Sequence, residues 1–586
     1  MVTTAILRGS LMESLCHLVP VIPLLYGATT SKMAFYTMVV GFHDSIYQRY
    51  IPLHCLLPCL IAVCLHAAGR IQRSDCSTVA LICAVVFENA IIGKVDSFDE
   101  TTIILSLALL FGAQYRSSSL PTSLHLHLAA TAVIAVEIIL LLPKNFHIWL
   151  STSCILMAFL HMAQSYFKLQ FTFLEYFLIL IWTGKIVEAG VKFKPQLTSI
   201  TSFQSGEVLM IVHCGITCVS MILCLIVLLL HHLIPIGAQT KFVQRSVILR
   251  AITFFICLIL GIVTALLPSL KYFLSGRSPV SWILDFLLFN SSDRLYLCLL
   301  WCCLIILFVL SSKVIAVYSK LPKFCNRKLF HLLIIIIIAP GIFLERYSAF
   351  TNLSIGVAFC AFLVLEAFRI MILIPSGRDW ITLYYTLFED ENRDCRFWIS
   401  SNITLLFGCA IPIFLWAYWS DVPSCPSDID YGEYSSRKTV NFCNYTPDTI
   451  KWENWNDHQK LLKSLEILLP HLGWITVGVG DSFAAIIGSQ CGVHKWPGTN
   501  RTIEGTCAMF LSTLLTALLV MYITIEEKNA RFYDHVGQLL SPSTIIPVVV
   551  TLLLTSLTEA FTTENDNIVL PLFAVVVYVA LVSLAI

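Results

Sequence analysis

Long apolar runs separated by short polar connectors follow one another along almost the whole chain. A helix that crosses the hydrocarbon of a bilayer needs about 20 mostly apolar residues. Runs of that kind lie at 51–69, 207–235, 249–268, 295–317, 329–344, 353–374, 400–419, 505–525 and 568–586. Shorter or proline-interrupted runs lie near 12–27, 78–93, 101–114, 126–143, 148–166, 171–186, 461–480 and 543–557. By the length rule, the pattern predicts an all-α polytopic integral membrane protein of roughly 15 transmembrane helices with no soluble domain. Pro20 and Pro23 interrupt the first run and no small-residue cleavage pattern follows, so it reads as an uncleaved first span.

Composition agrees. Hydrophobic residues make up 57% and charged residues 12%, with a mean hydropathy of +0.82, which leaves too little polar surface for a soluble domain. The net charge of +1 argues against a nucleic-acid partner. Most cysteines, among them Cys302, Cys303, Cys360 and Cys409, sit inside apolar runs, where cysteine serves as a small hydrophobe. No paired CxxC spacing points to a metal. Cys425 and Cys443 differ: they share a polar connector and are placed to pair if it faces an oxidising lumen.

Charge in the connectors assigns sidedness. Lys313, Lys320, Lys323, Arg327 and Lys328 cluster between two spans, which puts that connector in the cytoplasm by the positive-inside rule. Counting crossings makes the turn at Glu345 and Arg346 lumenal, 376–399 cytoplasmic, 420–460 lumenal, and both the stretch after Gly478 and Thr558 to Asn567 cytoplasmic. The glycosylation sequons at Asn290 and Asn444 then fall in the lumen, whereas the one at Asn500 stays cytoplasmic and unmodified. Four polar clusters converge on the cytoplasmic face: Arg327 to His331, Gly377 to Arg396, Asp481 to Thr506 and Glu559 to Asp566.

The third cluster concentrates the chemistry. Gly478 to Thr506 packs glycines, acids and cations into an otherwise oily chain. Asp481 follows Gly480, and Ala484, Gly488 and Gly492 then recur every four residues, leaving one helix face without bulk. Small-residue helix packing explains such a face. A backbone surface for phosphates, helped by amides near a helix N-terminus, explains it equally well. His494, Lys495 and Arg501 add cations, Pro497 and Gly498 force a turn, and Thr502, Glu504 and Thr506 add polar groups, which favours the phosphate reading. No GxxxxGK[ST] loop and no HRD or DFG set is present, so neither a P-loop nor a protein-kinase site is expected.

The order Asp481, Ala484, Gly488, Gly492, then Arg501, Thr502, Glu504 and Gly505, resembles the CTP-binding signature of the dolichol kinase and phytol kinase family. Trp496-Pro497-Gly498-Thr499 resembles the dolichol kinase branch. Arg327 to His331 at the opening of a span, and Glu559 to Asp566 with Asn567 and Pro571, match two further family elements. The resemblance covers about 320–586; before it only the multi-span character matches, so 1–319 reads as a scaffold and 320–586 as the catalytic region, with 478–506 as its cytoplasmic nucleotide element. A lysine pair is usual in the family before Thr-x-Glu-Gly, where this chain has Asn500 and Arg501.

The resemblance implies transfer of the γ-phosphoryl group of CTP to the terminal hydroxyl of dolichol or a related polyisoprenol, at the endoplasmic reticulum membrane with the site facing the cytoplasm. It implies nucleotide contacts from Gly480, Ala484, Gly488, Gly492, Lys495, Gly498, Thr499, Arg501, Thr502, Glu504, Gly505 and Thr506. Asp481 and Asp566 are candidates for a divalent cation, Mg2+ or Ca2+, and Asp481, Glu559 or Asp566 for the base. His331 is placed to assist proton transfer or bind phosphate, with Arg327, Lys328 and Asn567 in support. Glu366 and Arg369, three apart in an apolar helix, share a face; they pair with each other or support the site. A shorter-chain isoprenoid kinase of the phytol type, a cytidylyltransferase making a CDP-lipid, and a transporter remain open at this point.

Overall fold

The computed structural model describes residues 205–233, 240–318 apart from 275, 290 and 291, 323–344, 349–373, 381, 384, 401–420, 464–528 apart from 498, 542–562 and 565–585. The spans expected at 12–186, the sequons at Asn290 and Asn444, Cys425, Cys443 and Gly498 lie outside the described residues. Within them the regular elements are all helices, apart from one antiparallel bridge between Lys495 and Thr502. The main helices are α1 (Ser205–Leu233), α2 (Thr240–Gly261), α3 (Ser292–Tyr318), α4 (Lys323–Leu344), α5 (Ala349–Phe368), α6 (Ser401–Ser420), α7 (Ser482–Cys491), α8 (Ile503–Lys528), α9 (Pro542–Phe561) and α10 (Asp566–Ala585).

Six helical stretches among the described residues are long and apolar enough to cross a membrane: Val247–Phe273, Arg294–Ser312, Asn326–Phe343, Ala349–Leu373, Ile503–Thr524 and Thr544–Phe561. A seventh is a bent pair, Ser464–His471 with Trp474–Cys491, turned by 46°. Side chains such as Ile252, Phe255 and Ile259 on α2 and Leu299, Leu307 and Leu310 on α3 point outward, as suits contact with lipid. The chain is a multi-pass membrane protein.

Helix α1 packs most extensively along α5, with Gly356 admitting the Val212 side chain. From there one apolar core runs through α4, α6, α8, α9 and α10, so the described residues before 320 share a core with those after it. At its centre lies Trp474–Asp481, wound as a wide π-helix and surrounded by α4, α6, α8, α9 and α10. Its neighbours come close because the crossing points lack side chains. A methyl on Gly478 would stand 2.7 Å from Ile335, and one on Gly480 2.7 Å from Thr513. On the far side, Gly408 of α6 lies against the backbone carbonyl of Asn567, which docks the start of α10 onto α6.

Candidate active-site cleft

Asp481 ends the wide turn and is buried. The helix continues through it into α7 in ordinary right-handed conformation with no capping bond, so the amides after Asp481 lie inside a continuous helix. The expectation of a helix N-terminus offered to phosphates at this point is corrected accordingly, because those amides already have intrahelical partners. The acid is met instead by side chains. Lys328 and His331 lie three apart on α4 and therefore on one face. Lys328 Nζ donates to Asp481 Oδ2, both groups being buried. His331 Nδ1 lies 3.5 Å from the same oxygen and donates to the carbonyl of Val477 at 3.0 Å, which leaves Nε2 without the proton when the ring is neutral.

A second ionic group stands beside the first. Arg501 Nη1 lies 2.6 Å from Glu559 Oε1 at the end of α9, and Nη2 donates to Asp566 Oδ2 at 3.2 Å in the first turn of α10. Burial disfavours the charge on Arg501, but Glu559, Asp566 and Asp481 more than offset this and hold the guanidinium above its usual range. The close contact to Glu559 Oε1 lacks hydrogen-bond geometry, so that buried oxygen keeps its capacity to accept.

The hairpin between α7 and α8 presents Arg501. His494 accepts from the N–H of Ile503 at 2.8 Å, and the N–H of Trp496 donates to the carbonyl of Arg501 at 3.0 Å. Thr502 precedes α8 and its hydroxyl accepts from the N–H of Gly505 at 3.2 Å, the arrangement of an N-cap. Glu504, in the first turn where a negative charge is favoured, accepts from the backbone of His494 at 3.1 Å and pairs with its ring at 2.7 Å. Gly505 allows α8 to close on α7: a methyl there would stand 2.9 Å from the Ala484 carbonyl and 3.3 Å from Gly488. Gly488 and Gly492 in turn face the Thr502 side chain. Thr506 accepts from the Trp496 indole at 3.0 Å, and that ring stacks edge-on against Phe561 at 5.3 Å. Thr499 accepts from the N–H of Arg501 at 3.2 Å. Thr502, Glu504, Gly505, Thr506, Ala484, Gly488 and Gly492 therefore build the hairpin, and the glycine row is occupied by helix packing, one of the two roles its spacing left open. Lys495 is exposed on the hairpin.

A small cleft opens beside these groups, lined by Arg327, Phe330, His331, Asp481, Asn565, Asp566 and Asn567 from the expected clusters and, outside them, by Ser401, Asn402, Thr404 and Leu405. Ser401, Asn402 and Thr404 open α6 and escape notice because hydroxyl and amide residues are ordinary at a helix start. Glu366 and Arg369 do not line this cleft; Arg369 grips Glu366 through Nε at 2.9 Å and Nη2 at 2.6 Å, which satisfies both buried charges. Among the described residues no three His, Cys, Asp or Glu side chains group to hold a metal by themselves. Asp481 and Asp566 do share the cleft, and two carboxylates completed by phosphate oxygens are an ordinary Mg2+ donor set.

Fold and site thus define a multi-pass helical membrane protein with a cleft of buried, paired charges. The chain is similar to curated dolichol kinases: 31% identical over 312 residues to that of Bos taurus and 30% over 313 residues to that of Homo sapiens, in both cases 52% of this chain and 48% of the relative. It is 27% identical over 444 residues, 73% of this chain and 71% of the relative, to the dolichol kinase of Schizosaccharomyces pombe. The chain spans about half the length of the mammalian relatives it matches. No protein-family model matches the chain, and no solved structure does.

Proposed function

We propose that this protein is a dolichol kinase that transfers the γ-phosphoryl group of CTP to the terminal hydroxyl of dolichol. The observation that carries the reading is the meeting of Lys328, Asp481 and His331 with Arg501, Glu559 and Asp566 around one cleft. Phosphoryl transfer asks mainly for positioned reactants and for cations over the developing charge. Arg501, one-third exposed, turns an edge towards incoming phosphates, and Lys495 on the same hairpin adds an exposed charge. Arg327 faces the cleft from α4. Mg2+, when bound by Asp481 and Asp566, would supply neutralisation of the phosphate oxygens. Whichever of Asp481, Glu559 and Asp566 does not hold the ion would take the hydroxyl proton instead.

The dolichol tail stays in the bilayer, so its hydroxyl must meet CTP at the membrane surface. The helices before residue 320 would serve as scaffold for that tail. The positive-inside assignment supports a site that faces the cytoplasm, and the similarity to dolichol kinases supports an endoplasmic reticulum location.

The test is purified protein in lipid nanodiscs with dolichol, Mg2+ or Ca2+, and CTP, ATP or GTP labelled at the γ-phosphate. Label is expected in dolichyl phosphate, with CTP the preferred donor and CDP the second product. Label entering lipid only from the α-phosphate, with release of pyrophosphate, would mark a cytidylyltransferase instead. No transfer from any nucleotide would reject the kinase reading.

A further inference from the structure

The cleft lining is of two kinds: Arg327, Asp481 and Asp566 carry charge, whereas the start of α6, Ser401, Asn402 and Thr404, and the neighbouring Asn567 do not. We infer that this neutral wall, Ser401, Asn402 and Thr404 with the Asn567 carboxamide, seats the hydroxyl head of a long-chain primary alcohol acceptor, a reading that rests on the phosphoryl-transfer function proposed above.

Two side chains on the wall have no partner among the described residues. Asn567 is 8% exposed and lines the cleft. Its backbone N–H is bound by the side chains of Asn565 and Asp566, yet its carboxamide bonds to none of the described residues. Asn402, half-buried on the same wall, likewise makes no hydrogen bond to them. Left unmet, a buried amide such as that of Asn567 costs about 1–3 kcal/mol, and the cleft is where a ligand or solvent can pair it. Thr404 donates to the Ser401 carbonyl at 3.0 Å, and its oxygen still accepts. The set offers donors and acceptors without net charge, which suits an uncharged hydroxyl; a triphosphate is served by Arg327 and Arg501.

Phe330 and Leu405, the apolar members of the lining, provide contact for the first carbons of the chain. The step that follows is balanced within the cleft. The alcohol oxygen forms a bond to the γ-phosphorus, the bond from that phosphorus to the oxygen bridging it to the β-phosphate breaks, CDP leaves, and the hydroxyl proton passes to a carboxylate, Asp481 or Asp566, both of which line the same space.

The test uses the full chain in nanodiscs carrying Asn402→Leu or Thr404→Val, read by steady-state kinetics and by CTP binding in the absence of lipid. Loss of one hydrogen bond to the head should raise the KM for dolichol about tenfold, with the KM and Kd for CTP unchanged. Unchanged CTP binding also shows that the variants are folded. A rise in the Kd for CTP with an unaltered KM for dolichol would give the wall to the nucleotide and overturn the inference, as would no change in either. Retention of tritiated dolichol by the nanodisc-embedded protein without nucleotide separates the two readings. Weaker retention by Asn402→Leu than by the unaltered chain upholds the alcohol seat even if no nucleotide donates phosphate. Equal retention removes the seat and leaves the kinase reading standing on its own transfer assay.

Discussion

Asp481 is 2% exposed, and its charge is tolerated because Lys328 and His331 converge on one of its oxygens. Removing one member of a buried pair leaves the other uncompensated, at a cost of about 3–5 kcal/mol, whereas removing both restores neutrality. Lys328→Met should therefore lower the unfolding temperature in detergent and abolish transfer. Lys328→Met with Asp481→Asn should recover most of the stability and none of the activity, and a stable, active double variant would remove Asp481 from the chemistry. Arg501 offers a graded version of the same experiment. It holds Glu559 and Asp566 through separate nitrogens, a fork that lysine cannot reproduce. Arg501→Lys should keep the fold and raise the KM for CTP, and Arg501→Ala should lose both stability and transfer; identical behaviour of the two variants would argue that only the charge matters. These charged residues were legible in the sequence because a charge inside an apolar chain always calls for an explanation. Their pairings were not: Lys328 and Asp481 lie 153 positions apart, and no local pattern connects them.

Elements bring these residues together through close approaches, and the closest is between α6 and α10. Gly408 lies against the Asn567 carbonyl with no room for a methyl group, and Asp566 precedes that residue by one position. Gly408→Ala must push the start of α10 away from α6, with an overpacking cost of about 1–3 kcal/mol. Since Asp566 and Asn567 move with it, transfer should fall by more than the loss of folded protein explains, as shown by activity normalised to folded protein on size exclusion. Normal specific activity would mean that the cleft tolerates the shift. The spacing of Ala484, Gly488 and Gly492 announced a bare helix face but left its occupant open, since packing and phosphate approach leave the same pattern. Thr502 and Gly505 fill it. The wide turn over Trp474–Asp481 was hidden for another reason: apolar periodicity over so short a stretch does not separate one helical winding from another. That winding nonetheless decides which face Asp481 presents to α4.

On the scale of the whole molecule, hydropathy carried the class of fold because lipid imposes length and apolarity on every span. The six long spans and the bent pair stand where apolar runs predicted membrane segments. Sidedness is a separate matter, carried by lysines and arginines outside the spans, and it decides whether cytoplasmic CTP reaches the cleft at all. The hairpin bears its own reporter. Asn500-Arg501-Thr502 is a glycosylation sequon, and Asn500 is exposed. On the lumenal side it would be open to the glycosylation machinery; on the cytoplasmic side it stays bare. Protein from a eukaryotic host treated with an amidase that removes N-linked glycans should therefore show no mobility shift attributable to Asn500, the comparison being with Asn500→Gln. Exposed Cys491, at the end of α7 beside the same hairpin, gives the complementary signal. A membrane-impermeant maleimide added to sealed microsomes with their cytoplasmic face outward should label the unaltered chain more than Cys491→Ser. A glycan at Asn500, or labelling of Cys491 only after permeabilisation, would put the cleft in the lumen and separate it from the nucleotide pool it is proposed to use.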